Sequence, residues 1–198
     1  MELTDTHCHL HFDRLVGRID EVLKSAQDAN VTRLICVGTS VSDSQEAVDI
    51  ANAHSNVWAT VGIHPHEGKN FFEQKAGESR LRDLLTKPRV VAVGEIGLDF
   101  YKNYSPKADQ EKLLRLQIEI GGPSGLPFVF HVRDAWADFW RIFDSYPNLR
   151  GVIHSFSASP KELDEALSRG LYVALNGIMT FTGDQAQLEA AKKVPKDK

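Results

Sequence analysis

Three features of the sequence predict an α/β protein, a TIM-type (β/α)8 barrel that is incomplete, with about seven βα units. Short runs rich in Val and Ile alternate with helical patterns along the whole chain. No Gly-rich phosphate turn follows the first run, where a doubly wound sheet would usually carry one. Residues of metal-binding type recur where the runs end. The chain has 198 residues, whereas a complete barrel typically takes about 250.

The first run, Leu3–Thr6, leads into DTHCHLHF. Strand alternation sends Asp5, His7 and His9 to one face and Thr6, Cys8 and Leu10 to the other. Imidazoles two positions apart on a strand stand about 7 Å apart, so they grip one ion only if the strand end curls. Ile19, Val22, Leu23, Ala26 and Ala29 then mark one helical face. The remaining predicted strands are Arg33–Gly38, Val57–Ile63, Val90–Glu95, Phe128–Val132, Gly151–His154 and Leu171–Leu175. SDSQEAVDIANAH, KLLRLQIEI and AWADFWRIF read as helices between them, and Trp136, Phe139, Trp140 and Phe143 recur at the spacing of a core face. SPKELDEALSRG carries the fullest set of helix signals. Ser159 caps, Pro160 suits the first turn, Glu162 completes a capping box and Gly170 stops the helix. Nothing in the composition divides the chain. The expectation is a single barrel domain over 1–198, C-terminally truncated, because AKKVPKDK ends where an eighth strand would start.

Apolar residues make up 42% of the chain and charged residues 25%, an ordinary globular balance. A net charge of −4 argues against a generally basic nucleic-acid coat, which leaves a local patch or bound cations to hold phosphate. Lys192, Lys193, Lys196 and Lys198 read as a solvated helix end. Cys8 and Cys36, with no secretory signal ahead of them, suggest reduced thiols and a cytoplasmic location. No apolar run nears the roughly 18 residues of a membrane span.

Glu95 ends the fourth run, His131 follows in LPFVFHVRDAW, His154 in LRGVIHSFSAS, and His64 and His66 follow the third run in VGIHPHE. The C-terminal ends of barrel strands converge on one mouth, where active sites are built. Side chains of ligand type in this shared register predict a metal site. Imidazole and carboxylate without thiolate suit Zn, Mn, Fe, Ni or Mg-like ions in an open, hydrolytic centre. Glu95, alone among the histidines, is placed to bridge two ions about 3.5–4 Å apart.

DTHCHLHF, GIHPH, VGEIGLDFY, LPFVFHVRDAW and VIHSFSAS, in this order, resemble the motifs of the TatD-related metal-dependent deoxyribonucleases of the amidohydrolase superfamily. The likeness runs from residue 3 to about residue 182. It implies a barrel with one to three divalent ions that hydrolyses phosphodiester bonds of DNA, commonly from the 3′ end of single strands. By resemblance, His7 and His9 hold one ion, Glu95 bridges, and His131 and His154 hold the second. His64 contacts the scissile phosphate with help from Arg133, so that Glu95 and His64 are the expected catalytic pair. Asp99, beyond Glu95, is expected to contact substrate or to support the ligands, and Tyr101 likewise.

The sequence departs from the family pattern in two places. It ends before the E-T-D type motif whose Asp serves relatives as ligand and base, which raises the alternative of a non-enzymatic, metal-binding remnant. IGGPSGLPF also stands where relatives continue a helix, and Gly121, Gly122, Pro123 and Gly125 should end it about a turn early. The DxHxH start is shared with polymerase-histidinol-phosphatase-like proteins, but their later motifs do not fit GEIGLD and HSF. Glu95 stands where many amidohydrolases carry a carboxylated Lys, which disfavours amide or lactone substrates.

Overall fold

A computed structural model describes all 198 residues. Seven parallel strands lie in one sheet in chain order: β1 (Leu3–Cys8), β2 (Val31–Val37), β3 (Val57–Val61), β4 (Val90–Asp99), β5 (Phe128–Arg133), β6 (Gly151–His154) and β7 (Tyr172–Val173). Between and after them run eight helices: α1 (Ile19–Asp28), α2 (Val41–Ala53), α3 (Gly68–Glu73), α4 (Gly77–Leu84), α5 (Lys107–Gly121), α6 (Trp136–Phe143), α7 (Pro160–Ser168) and α8 (Gln185–Lys193). None is long and apolar enough to cross a membrane. His7 of β1 stacks on His154 of β6 with ring centroids 3.3 Å apart. In a flat sheet five inter-strand steps would separate those strands by about 24 Å. The sheet therefore curls into an open barrel.

Two apolar clusters fill the space between sheet and helices. One gathers Val61, Leu81 and Leu113 around β1–β3, and the other gathers Phe130, Phe139 and Ile153 around β4–β7. Helix α5 joins them, because Leu113 and Ile120 enter the first while Leu114 and Ile118 enter the second. The aromatic series of α6 is core, with Phe139, Trp140 and Phe143 all buried. Ser159 and Glu162 exchange both bonds of the expected capping box at α7.

Several boundaries differ from the sequence reading. Strand β4 continues to Asp99 instead of ending at Glu95, because the register slips between Val93 and Ile96 and pairing with β5 then resumes from Ile96↔Phe130 to Asp99↔Arg133. Glu95 thus sits inside the irregularity, turned out of the ladder. Helices α3 and α4 were not anticipated; each is short, and α4 turns only Gly77, Leu81 and Leu84 inward. Strand β7 spans two residues, not Leu171–Leu175. Its Val173 N–H donates to the Lys198 carbonyl at 2.8 Å. The carbonyls of Asn30, Asn56, Arg89, Pro127 and Arg150, each just ahead of β2 to β6, accept the same kind of bond from the preceding strand. The Gly-rich departure has a packing role: a Cβ on Gly121 would lie 2.7 Å from Val93 Cγ2, so only glycine lets α5 end this close to β4.

Strand ends at the mouth are braced by buried polar side chains from the helix layer. Ser44 of α2 donates to and accepts from Gly62. Gln117 of α5 accepts the Ile63 N–H at 2.7 Å and donates to the Ile63 carbonyl at 3.0 Å. Gln110 accepts the Asp99 N–H at 2.8 Å and donates to the Asp99 carbonyl at 3.1 Å. Each brace satisfies backbone groups that the splaying strands no longer pair. Gln117→Leu keeps the volume and leaves both Ile63 groups unsatisfied, so a loss of about 2–4 kcal/mol is expected. Urea unfolding measures it; an unchanged midpoint would show that the brace contributes nothing.

Candidate metal centre

The centre is built around a buried carboxylate. Glu95 is 4% exposed, and no lysine or arginine pairs with it. Its N–H donates across the barrel mouth to the Gly38 carbonyl at the end of β2, at 3.0 Å. Close strands fix its position. A Cβ on Gly62 would lie 2.5 Å from the Gly94 carbonyl carbon, and one on Gly94 would lie 2.6 Å from Val129 Cβ. Glu95 Oε1 accepts from His131 Nδ1 at 2.9 Å and lies 3.9 Å from His64 Nε2, while Oε2 lies 3.2 Å from His7 Nε2. The result is two sets of ligand atoms, His7–His9–Glu95 and His64–Glu95–His131, each within 4.8 Å and sharing Glu95.

Each imidazole is oriented differently. His9 Nδ1 donates to the Val37 carbonyl at 2.9 Å, which leaves the Nε2 lone pair free for an ion. The His7 side chain is only 9% exposed, yet neither ring nitrogen has a hydrogen-bond partner, since Nε2 is near Glu95 but out of line with it. Buried polar atoms are rarely left unpaired, and a cation held by His7, His9 and Glu95 would give one of these nitrogens a partner. The donor set, nitrogen and oxygen without sulfur, fits a divalent ion. Cys8 faces away and bonds the Ile35 carbonyl, as expected from alternation. Asp5 is exposed and accepts the His7 N–H, so it does not join the set. His154 reaches the centre by stacking on His7 and is in neither ligand set.

Burial and the charges in the centre set its protonation. Burial pushes the His64 imidazolium down to about 3, and Glu95 only partly offsets this. Burial and then His7 lower His154 to about 4, so both rings are neutral at pH 7. Burial also disfavours His131 as a cation, but its bonds to Asp99 and Glu95 prevail and raise it to about 9. Burial alone would raise the Glu95 carboxyl; the bond from His131 and the nearby His7 ring instead hold it well below the usual carboxylate range.

Asp99 is 1% exposed and fully engaged. Its Oδ2 accepts from His66 Nε2 at 2.9 Å and His131 Nε2 at 3.3 Å, and its Oδ1 accepts the N–H groups of Tyr101 and Lys102. Of the two roles expected for it, substrate contact finds no exposed oxygen here, and ligand support has the geometry. His66 was noted in GIHPH but given no role; it shares Asp99 with His131 and donates its backbone N–H to His64 Nδ1 at 3.2 Å. Only the doubled histidine hinted at this. Arg133 is exposed at the end of β5, with its guanidinium 3.9 Å from the Tyr101 ring centroid and no carboxylate partner.

The family model described as "TatD related DNase" matches residues 4–198. Over 160 residues the chain is 37% identical to the 3′-5′ ssDNA/RNA exonuclease TatD of Cronobacter turicensis, covering 80% of this chain and 60% of that protein. The protein of the same name from Escherichia coli K12 is 34% identical, with coverage of 80% and 61%. The fold matches the crystal structure of YJJV, a TatD homologue from Escherichia coli K12, with a TM-score of 0.88 and 25% identity over 98% of this chain and 75% of that one. The chain thus spans about three fifths of the length of these two curated relatives. Five motifs in order, an open parallel barrel and a carboxylate shared by two histidine sets agree with the match: the chain belongs to the TatD-related DNase family.

Proposed function

We propose that the chain is a divalent-metal-dependent phosphodiesterase acting on DNA, removing nucleotides from the 3′ end of single strands. The observation that carries this reading is the buried Glu95 carboxylate with ligand-type imidazoles on both sides. A buried carboxylate beside ligand-type imidazoles attracts cations, and cations in turn attract a phosphodiester. The two relatives compared above bear the name of a 3′-5′ exonuclease on single-stranded DNA or RNA, which supports the substrate class.

In this reading His7, His9 and Glu95 would hold one ion, and Glu95, His131 and His154 a second. Divalent ions, when bound, supply Lewis-acid neutralisation of phosphoryl oxygens and make water acidic enough to attack near neutral pH. The chain's residues do the rest. His64 Nδ1 accepts the His66 N–H, so the neutral ring carries its proton on Nε2 and can donate to a phosphoryl oxygen. That tautomer favours substrate contact over ligation for His64. Arg133, free of carboxylates, suits a bidentate grip on phosphate. Asp99 bonds His131 Nε2, which keeps Nδ1 aimed at Glu95 and the ion side.

A 5′-labelled single-stranded oligodeoxynucleotide, incubated with the chain and Mn2+ or Mg2+, is expected to shorten as a ladder from its 3′ end. Excess chelator should stop it. Release of the labelled 5′ nucleotide first, or no hydrolysis with any divalent ion, would reject the reading.

Glu95→Gln keeps the shape and removes the charge. Ion affinity, read by titration calorimetry, should fall at least about 100-fold, and hydrolysis with it, while circular dichroism stays native. A variant keeping more than about a tenth of the parental rate would rule out a shared carboxylate.

Asp99→Asn separates the two roles considered for that residue. Loss of ligand support is expected to weaken ion binding about 10–100-fold. A raised KM with parental ion affinity would instead assign Asp99 to substrate.

A further inference from the structure

Three exposed aromatic side chains, Phe12, Tyr101 and Tyr104, ring the centre. Phe12 stacks parallel on His9 with centroids 4.5 Å apart, and Tyr104 packs edge-on against His66 at 4.8 Å. Tyr101, 58% exposed, lies beneath the Arg133 guanidinium, whose Cζ is 3.9 Å from the ring centroid, with Lys102 Nζ 5.7 Å from the same centroid. Each ring has one face or edge against a residue of the centre.

The guanidinium over Tyr101 decides which of them suits a polyanion. The cleft beside Phe12, about 710 Å³, is lined by Asp13, Asp43 and Glu46 against a single arginine, Arg14. It repels phosphate. The cleft beside Tyr101, about 370 Å³, is lined by Asp134 and Glu162 as well as Arg133; Glu162 is engaged by Ser159 at the start of α7, and the Arg133 guanidinium has no ion pair. The Tyr101 loop is also held in place, because Asp99 Oδ1 accepts the N–H groups of Tyr101 at 3.0 Å and Lys102 at 2.9 Å. The same Asp99 bonds His131, so ring and ligand are positioned from one carboxylate.

We infer that the exposed ring of Tyr101 is a stacking platform for an unpaired nucleobase next to the phosphate gripped by Arg133. The inference rests on the phosphodiesterase reading for the presence of that phosphate. A π-face is common to all bases, so the platform tolerates any sequence but requires a base freed from its pair. It reads the base and not the sugar, so deoxyribo and ribo strands are equivalent to it.

The test is fluorescence anisotropy of labelled oligothymidylate, oligouridylate and an abasic strand of equal length, with chelator present so that nothing is cut. Parent, Tyr101→Ala and Tyr101→Phe are compared, and hydrolysis by the parent is assayed separately with Mn2+. Tyr101→Ala is expected to bind both base-bearing strands about ten-fold more weakly, the range for one base–aromatic stack. Tyr101→Phe should stay within about two-fold of the parent, and the abasic strand should bind weakly and equally to all three. Equal binding by parent and Tyr101→Ala overturns the platform, and intact hydrolysis would then leave the phosphodiesterase reading standing. An equal loss on base-bearing and abasic strands also overturns it, since that marks displacement of Arg133. Base-dependent binding lost in Tyr101→Ala, with no hydrolysis by the parent, supports the platform and fails the enzyme.

Discussion

A buried carboxylate surrounded by imidazoles is the interaction on which the rest of this structure depends. Glu95 is held at 4% exposure with no guanidinium or ammonium group against it. Removing an ion from water costs several kcal/mol unless a counter-charge is supplied. In the chain alone the protonated His131 ring supplies counter-charge, while His64 and His154 are neutral. The centre is therefore short of positive charge and rich in lone pairs. A divalent ion would correct both deficits at once, whereas a lysine would correct only the first.

Keeping such a centre in place requires rigid surroundings. The Glu95 amide is tied to Gly38, and glycines at 62 and 94 let the strands beside it close in. Where the strands splay towards the mouth, Ser44, Gln110 and Gln117 take over the backbone bonds from the helix side. These polar groups are buried, so the helix layer fixes the ligand-bearing ends instead of merely covering the sheet. The helical residues that matter most to the site are thus ones that never touch it.

The alternation of Val- and Ile-rich runs with helical periods was sufficient to read the open barrel from sequence, and the histidine and glutamate positions were sufficient to read a mouth. The extension of β4 to Asp99 was not legible. It depends on a register slip at Gly94 and Glu95, and sequence periodicity carries no record of how a neighbouring strand pairs. The short α3 and α4 were hidden for a different reason: their inward positions are too few to establish a period. Helix α5 does end at Gly121, but the spacer role of that glycine was not legible, because only the fold reveals that Val93 lies 2.7 Å from its missing Cβ.

The division of labour among the histidines lies further still from sequence. His64 and His154 both follow strands and both reach the centre, and by distance alone His64 sits in a ligand set while His154 does not. Distance is a poor guide to imidazoles, because a ring nitrogen ligates only with its lone pair. The His66 amide uses the His64 Nδ1 lone pair and so leaves a proton, not a lone pair, on the nitrogen facing Glu95. His154 has no such constraint, and burial keeps it neutral with a lone pair to offer. On this ground the proposed reading assigns His154, not His64, to the second ion, although by distance His64 is the one in a ligand set. A backbone N–H two residues along the chain thus decides what the side chain can do.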